Sequence, residues 1–418
     1  MSQTLTAKAL LATCITLAAA VSTAATEGPD RSLARTPPMG WNTWNTFADR
    51  IDEAHIRQVA DVMVSSGMRD AGYVYLNLDD NWMADTRDAQ GNLRADPVKF
   101  PGGLKALADY IHSKGLKFGI YGDRGTATCA GPAGSGSYGH EEQDARTFAS
   151  WGVDYLKYDN CNVNTRITSD AMREDFDRMG RALRATGRSI VYSICAWKLR
   201  GHESWMPDSG HVWRTTGDIR PTWAEPNPQR SVLAIVDEHV GLEEHQRPGG
   251  WNDPDMLEVG VPAPWYDLPK WHYAVLNETE AQSHFALWAM FSAPLFAGND
   301  LRHMNRATLE LLTHRGLIAI DQDPLGVQAR RVHHETCGTD LFLKPLANGD
   351  VAALLLNRAD TPRMLALGWP RQVKAVQDVL AQKPLQADSG EYRAEVAAHG
   401  VMVLRLTGVR PEQLSLRP

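Results

Sequence analysis

Short apolar segments alternate with longer segments of helical periodicity between about residue 36 and residue 325. Eight of the apolar segments predict strands: MGWNTWN, YVYLNLDD, KFGIYGD, YLKYDNC, IVYSICAW, VWRTTGD, WNDPDML and APLFAGND. The segments 52–67, 102–115 and 169–187 have helical spacing, and each ends at a glycine, where helices commonly stop. This alternation predicts an α/β fold, with a parallel sheet closed into a (β/α)8 TIM barrel. A doubly wound open sheet is the alternative, but no glycine-rich dinucleotide loop follows any of the strands.

The pattern changes after Pro324. Residues 339–359 and 392–408 read as short strands separated by Asn-Gly, Gly-Asp and Gly turn signals, without a convincing amphipathic helix. We therefore expect a catalytic barrel over residues 26–325 and a smaller C-terminal antiparallel β-sandwich domain over residues 326–418.

The first 25 residues are typical of a secretory signal peptide, with Lys8 before an apolar run that ends in small residues. We therefore expect an exported protein, periplasmic or secreted, in a compartment where disulfides can form. The rest of the chain carries four cysteines, Cys129, Cys161, Cys195 and Cys337. No other segment is long and apolar enough to suggest a membrane span.

Charge and composition exclude some classes of partner. The formal net charge is −7 and the sequence has no basic stripe, so nucleic acid is not an expected partner. A membrane is not an expected partner either. The oligomeric state is left open by the sequence.

Polar residues follow most of the predicted strands, at the end where TIM barrels carry their active sites. These residues are Asp79, Asp80, Asp123, Asp159, Arg214, Asp218, Asp253, Asp255, Asn299 and Asp300. Tryptophans fall at the same ends: Trp41, Trp44, Trp82, Trp197, Trp213, Trp223 and Trp251. One acidic residue after a strand is most often a helix cap, but repetition on most strands is harder to explain by capping. Carboxylates and indole rings around one mouth are typical of a carbohydrate pocket.

The segment YLKYDNC places Lys157 and Asp159 on the same face of an otherwise apolar strand. Burying either charge alone is costly unless it is paired or has a chemical role. Two carboxylates suffice for glycoside hydrolysis, one as nucleophile and the other as acid and then base. Asp159 suits the nucleophile because the Lys157 cation favours its ionised form, and Asp218 is the best candidate for the acid.

Two other classes of protein share parts of this pattern. A metal-dependent hydrolase also uses Asp-rich strand ends, but the 14 histidines do not cluster there or at ligand spacing, so we expect neither a metal nor another cofactor. A non-catalytic sugar-binding protein would be expected to have lost one of the two carboxylates, and both are present.

Seven segments together resemble the glycoside hydrolase family 27 enzymes, the retaining α-galactosidases and α-N-acetylgalactosaminidases. They are PPMGWNTWN, YLNLDDNWM, FGIYGDRGTATCAG, GVDYLKYDNC, VWRTTGD, WNDPDML and APLFAGNDLR, in order across residues 36–325. The resemblance implies that Asp159 is the nucleophile and Asp218 the acid/base of an α-galactosidase (melibiase), and that the substrate is an α-galactoside. It also implies a disulfide between Cys129 and Cys161 beside the site.

The resemblance further implies a set of substrate-binding residues. Asp79 and Asp80 match the pair that holds the 6- and 4-hydroxyls of galactose, and Lys157 matches the lysine at the 3- and 4-hydroxyls. Arg214 matches an arginine near the 2-hydroxyl. Trp44, Tyr121, Trp197 and Asp255 are assigned to the pocket around the sugar.

One position departs from the family pattern. Many α-galactosidases have Cys-Glu-Trp where this chain has Cys195, Ala196 and Trp197. Enzymes for acetamido sugars have small residues in this neighbourhood, whereas Leu199 matches the bulkier α-galactosidase residue. We expect an α-galactosidase, with an α-N-acetylgalactosaminidase or a β-L-arabinopyranosidase as alternatives. Cys195 and Cys337 are expected to be free, buried thiols.

Overall fold

The computed structural model describes residues 28–163, 168–196, 203–224, 230–263 and 274–417. Its largest sheet has eight strands, hydrogen-bonded in the order β7-β6-β5-β4-β3-β2-β1-β8, and each strand runs parallel to its neighbours in that order. The strands are β1 (Met39–Asn42), β2 (Tyr75–Asn77), β3 (Lys117–Asp123), β4 (Tyr155–Asp159), β5 (Val191–Ile194), β6 (Val212–Arg214), β7 (Trp251–Asp253) and β8 (Leu295–Ala297). Each of these strands lies in one of the eight predicted segments.

The sheet closes on itself just beyond β7. Leu257 forms a parallel bridge with Ala297 of β8, and its N–H donates to the Phe296 carbonyl at 2.8 Å. The strands therefore form a barrel, which confirms the (β/α)8 prediction and rules out the open doubly wound sheet.

Helices connect the strands on the outside of the barrel. They are α1 (Trp44–Phe47), α2 (Glu53–Ser65), α3 (Met68–Ala71), α4 (Gly103–Ser113), α5 (Glu141–Trp151), α6 (Ser169–Ala185), α7 (Met206–Ser209), α8 (Val232–His239), α9 (Glu278–Phe291), α10 (Arg306–Leu312) and α11 (Arg315–Asp321). The three helices predicted from periodicity correspond to α2, α4 and α6. Asp52 and Thr168 cap α2 and α6 by accepting backbone N–H groups, which explains where these helices begin.

The second part of the chain consists of strands in two antiparallel sheets. These are β9 (Arg330–His334), β10 (Thr339–Pro345), β11 (Val351–Asn357), β12 (Arg363–Gly368), β13 (Ala375–Asp378), β14 (Lys383–Leu385), β15 (Glu391–Val396), β16 (Val401–Thr407) and β17 (Ser415–Arg417). The first sheet has the order β14-β13-β16-β11-β10-β9 and the second the order β15-β12-β17. Leucines and valines from both sheets share one core, so the predicted β-sandwich is confirmed.

Buried polar contacts join the sandwich to the barrel. The Lys344 ammonium of β10 donates to the Ala289 carbonyl at 3.1 Å, to Ser292 Oγ at 2.6 Å and to the Ile320 carbonyl at 2.7 Å. It therefore neutralises the carboxyl ends of α9 and α11, where the helix dipole is negative. A second contact between the two parts is an ion pair, in which Nη2 of Arg358 in the sandwich lies 2.7 Å from Oδ2 of Asp237 in α8.

Some predictions fall outside the described residues or concern absences. The predicted signal peptide, residues 1–25, lies outside them, as do Trp197 and Leu199. Within the described ranges, no helix combines the length and apolar character needed to cross a bilayer.

Candidate active site

Asp79 and Asp80 are buried carboxylates that lie directly after β2. Oδ2 of Asp79 accepts hydrogen bonds from Asn42 Nδ2 and from Lys157 Nζ, each at 2.8 Å. Oδ2 of Asp80 accepts the Ala130 N–H at 2.8 Å, and burial raises the pKa of Asp80. Both carboxylates are thus held in fixed orientations by β1, β4 and the loop after β3. Asn42 is not among the residues that the sequence pattern predicts for the site, although a polar residue at the end of an apolar strand is a signal that could identify it.

Asp159 ends β4, next to Asp123 at the end of β3 in the parallel register. Its Oδ2 accepts the Tyr121 hydroxyl at 3.0 Å, and its Oδ1 accepts the Asn160 N–H at 2.8 Å. Burial and the charge of Asp159 raise the pKa of Tyr121 well above its ordinary value, so this hydroxyl remains a donor. The Asp159 carboxylate is therefore buried and fixed from both oxygens.

Lys157 lies two residues before Asp159 and on the same face of β4. Its ammonium lies 5.3 Å from the centre of the Tyr121 ring, within cation–π range, besides its bond to Asp79. Burial alone would lower the pKa of Lys157, but the nearby carboxylates of Asp79 and Asp159 raise it above its ordinary value. The structure thus brings Asp79, Lys157, Tyr121 and Asp159 into one network.

Arg214 ends β6 and binds two carboxylates. Its Nη2 lies 3.2 Å from Oδ1 of Asp218, and its Nη1 lies 3.1 Å from Oδ1 of Asp255. Oδ2 of Asp255 also accepts the Ile219 N–H at 2.9 Å. Asp255 therefore holds both Arg214 and the residue that follows Asp218.

Asp255 adopts a backbone conformation that is uncommon for a residue with a Cβ atom. Its φ is +83°, in the left-handed region, and its own N–H donates to Oδ1 of Asp253 at 2.8 Å. Conformations of this kind cost about 1 kcal/mol or more and persist where the surroundings enforce them. Here they aim the carboxylate at Arg214 and at the backbone beside Asp218.

The two candidate catalytic carboxylates have opposite environments. Burial raises the pKa of Asp159, and the Lys157 cation offsets only part of that rise. Asp218 is 44% exposed, and the cations of Arg214 and then Lys157 lower its pKa although burial acts against them. The free site therefore places a buried carboxylate that resists ionisation opposite a half-exposed one that favours it.

Two further carboxyl groups end neighbouring strands of the site, Asp123 buried and Asp253 half-buried. Burial, with the nearby Asp159 charge, raises the pKa of Asp123 to about 8, and burial raises the pKa of Asp253 to about 6. Oδ1 and Oδ2 of Asp123 accept the N–H groups of Gly125 and Cys161. Both strand-end acids were noted in the sequence, and Asp123 here organises the loop that follows β3.

The aromatic and small residues at the mouth are only partly described. Trp44 is half-buried, and its backbone N–H donates to Asn42 Oδ1 at 2.9 Å. Trp197 lies outside the described residues. Ala196 is completely buried and packs in the barrel core.

Cys129 and Cys161 form a disulfide that joins the loops after β3 and β4. This confirms the pairing expected from the resemblance. The Tyr121 hydroxyl oxygen lies 3.1 Å from Cys129 Sγ, so the disulfide lies next to the residue that binds Asp159.

Cys195 and Cys337 are both free, as expected, but only Cys195 is buried. The prediction that Cys337 is buried was wrong. Cys337 lies in the tight turn between β9 and β10, whose side chains point to solvent.

The barrel residues match the family model described as alpha galactosidase A, over residues 36–323. The chain belongs to this family. Residues 336–406 match the alpha galactosidase C-terminal beta sandwich domain, which agrees with the two antiparallel sheets. The resemblance to glycoside hydrolase family 27 is thereby confirmed.

This chain is similar to several α-galactosidases over most of their length. The chain is 42% identical over 412 residues to alpha-galactosidase A of Cellvibrio japonicus, covering 93% of this chain and 96% of that protein. The crystal structure of alpha-galactosidase I from Mortierella vinacea matches with a TM-score of 0.84 at 35% identity, over 90% of this chain and 98% of that one. The structure of the Saccharomyces cerevisiae α-galactosidase with raffinose matches with a TM-score of 0.80 at 28% identity, over 90% and 99% of the two chains.

Proposed function

We propose that this chain is a retaining exo-α-galactosidase, a glycoside hydrolase that releases terminal α-D-galactosyl residues by double displacement. The observation that carries the proposal is the unlike pair of carboxylates at the barrel mouth, Asp159 buried and fixed, Asp218 half-exposed on Arg214. Membership of the α-galactosidase A family and the similarity to named α-galactosidases support the same reaction.

In the first step, the Asp159 carboxylate attacks the anomeric carbon while Asp218 protonates the glycosidic oxygen. The bond between that carbon and the leaving oxygen breaks, and a β-galactosyl ester forms on Asp159. The Tyr121 hydroxyl and the Asn160 N–H keep the attacking carboxylate oriented.

In the second step, the Asp218 carboxylate takes a proton from water as the water oxygen attacks the same carbon. The ester bond to Asp159 breaks, and galactose leaves in its α form. Bound sugar covers the exposed part of Asp218, and loss of water around a carboxylate raises its pKa. Substrate binding therefore helps Asp218 to hold the proton that the first step needs.

Buried polar groups give the site its preference for galactose. Asp79 and Asp80 present fixed acceptors to the 6- and 4-hydroxyls, and Lys157 presents a donor to the 3- and 4-hydroxyls. Glucose has an equatorial 4-hydroxyl, so the polar groups that bind the axial 4-hydroxyl of galactose would lack a partner if glucose were bound. The pocket therefore discriminates against glucose. Arg214 is assigned to the 2-hydroxyl, with Asp255 behind it, and Trp44 and Tyr121 are assigned to the walls around the sugar.

We propose as substrates α-galactosides such as oligosaccharides, galactomannans or glycoconjugates. Raffinose is bound by the yeast relative and is the first natural oligosaccharide to assay. We also propose export after removal of residues 1–25, leaving a catalytic domain over 26–325 and a β-sandwich over 326–418. The Cys129–Cys161 disulfide supports an oxidising compartment.

Proton NMR of early product tests the mechanism directly. Hydrolysis of an aryl α-galactoside should give α-galactose first, with the β-anomer growing in later by mutarotation. Initial release of β-galactose would refute a retaining mechanism, and no hydrolysis at all would favour a galactose-binding protein.

The second candidate is an α-N-acetylgalactosaminidase, favoured by Ala196 in place of the family glutamate. Values of kcat/KM on paired α-galactoside and α-N-acetylgalactosaminide substrates decide between the two. We expect preference for the α-galactoside. A β-L-arabinopyranoside belongs in the same screen, although the arabinopyranosidases among the similar structures are only 22% identical and show the fold alone.

A further inference from the structure

The turn between β15 and β16 reaches from the β-sandwich to the barrel, and His399 lies at its tip. The His399 ring stacks on the Trp223 indole, with ring centres 5.3 Å apart and an interplanar angle of 23°. Ser283 of α9 donates its hydroxyl to the His399 carbonyl at 2.6 Å. The residue has a φ of +60°, in the left-handed region, and its ring contacts Trp223 and Glu280 of the barrel.

Both nitrogens of the His399 ring face carboxylates. Nδ1 lies 2.7 Å from Oε1 of Glu280 on α9, and Nε2 lies 2.8 Å from Oδ1 of Asp360 on the sandwich. Glu280 is itself fixed, because its Oε2 accepts the Asn277 N–H in the capping box of α9. The edge of the imidazole therefore contacts carboxylates of the barrel and of the β-sandwich, and its face contacts Trp223.

Trp223 closes the loop that begins with the candidate acid/base, five residues after Asp218. Several hydrogen bonds anchor this loop within the barrel, including two at the start of α8, where the N–H groups of Val232 and Leu233 donate to the Thr222 and Trp223 carbonyls. The Ile219 N–H donates to Asp255, and the Pro221 carbonyl accepts the Leu276 N–H at 3.0 Å. The His399 stack is a further anchor, and it comes from the other domain.

We propose that His399 is a positioning residue, which holds the loop 218–223 so that Asp218 meets the glycosidic oxygen. The inference rests on the proposed function, since it concerns the acid step of that reaction. It gives the β-sandwich a part in catalysis although none of its residues is assigned to the sugar pocket.

The alternative is that His399 only adds interdomain stability. The two roles differ in how activity depends on the leaving group. A misplaced acid slows departure of a poor leaving group such as methanol, whereas dinitrophenolate leaves without a proton. Loss of stability alone reduces activity on both substrates by the same factor.

The test measures kcat/KM, which reports the first chemical step, for methyl and dinitrophenyl α-galactosides. The variants are His399→Ala, which removes the ring, and His399→Phe, which keeps a flat ring on Trp223. Lys344→Met is the control, because it removes a buried interdomain contact far along the chain from this loop. If His399→Ala does not fold, Trp223→Leu removes the same stack from the barrel side.

We expect His399→Ala to lower the ratio of kcat/KM for the methyl galactoside to kcat/KM for the dinitrophenyl galactoside about tenfold. Small displacements of catalytic groups slow reactions by factors of this order. His399→Phe should restore the ratio to within about twofold, and Lys344→Met should leave it unchanged. An unchanged ratio in His399→Ala, no restoration in His399→Phe, or an equal fall in Lys344→Met would each overturn the proposal. Wild type that hydrolyses neither substrate would instead refute the proposed function.

Discussion

The Arg214 guanidinium lies 3.2 Å from Asp218, so the half-exposed carboxylate shares a cation with Asp255. Arg214 lowers the pKa of Asp218, while burial raises the pKa of Asp159. The reaction needs ionised Asp159 and protonated Asp218. When the two carboxyl groups of the free enzyme hold one proton between them, that proton is therefore more stable on Asp159 than on Asp218.

These shifts predict an acidic pH optimum. Asp159 must be ionised while Asp218 keeps a proton, which is the arrangement that the two shifts disfavour. Because the required form is the minor one, the acid limb of kcat/KM follows the lower of the two pKa values, that of Asp218, and the basic limb follows the higher, that of Asp159. The profile should thus be a bell with a maximum below about pH 7, whose limbs belong to the coupled pair.

The profile of kcat supplies the control for this prediction. It reports the enzyme–substrate complex, where bound sugar excludes water from Asp218, so its acid limb should lie at higher pH than that of kcat/KM. Activity that stays constant from about pH 7 to about pH 9 would contradict the protonated role of Asp218.

Azide should identify the two carboxylates by the anomer it forms. In Asp159→Gly, azide takes the place of the nucleophile and should give β-galactosyl azide from an activated aryl α-galactoside. In Asp218→Gly, azide attacks the β-galactosyl ester on Asp159 and should give α-galactosyl azide. NMR of the products distinguishes these outcomes, and exchange of the two anomers between the variants would reverse the assigned roles.

The four cysteines should react in a fixed order. Iodoacetamide should label exposed Cys337 in the native protein and buried Cys195 only after unfolding. Cys129 and Cys161 should react only after reduction. Peptide mass mapping checks each step, and native labelling of Cys195 would contradict its burial.

Removing the disulfide should destabilise the protein measurably. Cys129 and Cys161 are 32 positions apart, and chain-entropy estimates for such a loop give about 3–4 kcal/mol. The double Cys129→Ser, Cys161→Ser variant should lose this free energy of unfolding in urea titrations. Cys337→Ser is the matched control and should unfold like wild type.

Lys344→Met should lower the free energy of unfolding by about 2–4 kcal/mol, because it leaves buried acceptors at the ends of α9 and α11 without a donor. Lys374→Met, at an exposed lysine of the same domain, should change stability little. Urea unfolding followed by tryptophan fluorescence gives the comparison. Equal stability of the two variants would show that the Lys344 contacts contribute nothing.

The sequence by itself determined the elements and the end of the barrel at which the chemistry lies. Strand segments such as YLKYDNC have a local apolar pattern, and parallel strands deliver the residues at their carboxyl ends to one mouth. Asp79, Asp159 and Asp218 could therefore be assigned to one site without coordinates. The resemblance to a family then supplied their roles and the Cys129–Cys161 pairing.

Five strands of the second domain, β9, β12, β13, β14 and β17, were not predicted individually. Several are short or lie at sheet edges, and their half-exposed patterns carry little signal until a partner strand supplies the hydrogen bonds. The exposure of Cys337 had the same origin, since it depends on a turn between two strands of which only β10 had been recognised.

Only the tertiary structure decided how the site residues act on one another. The opposite pKa shifts of Asp159 and Asp218 depend on how deeply each carboxylate is buried, which a local pattern does not encode, although the main cations, Lys157 and Arg214, are close to them in sequence. The same holds for the left-handed backbone of Asp255 and for His399, 176 positions from Trp223 in the chain (399 minus 223) yet stacked on its ring. Contacts between residues so distant in sequence arise only when the two domains pack, because nothing in either segment alone specifies its partner.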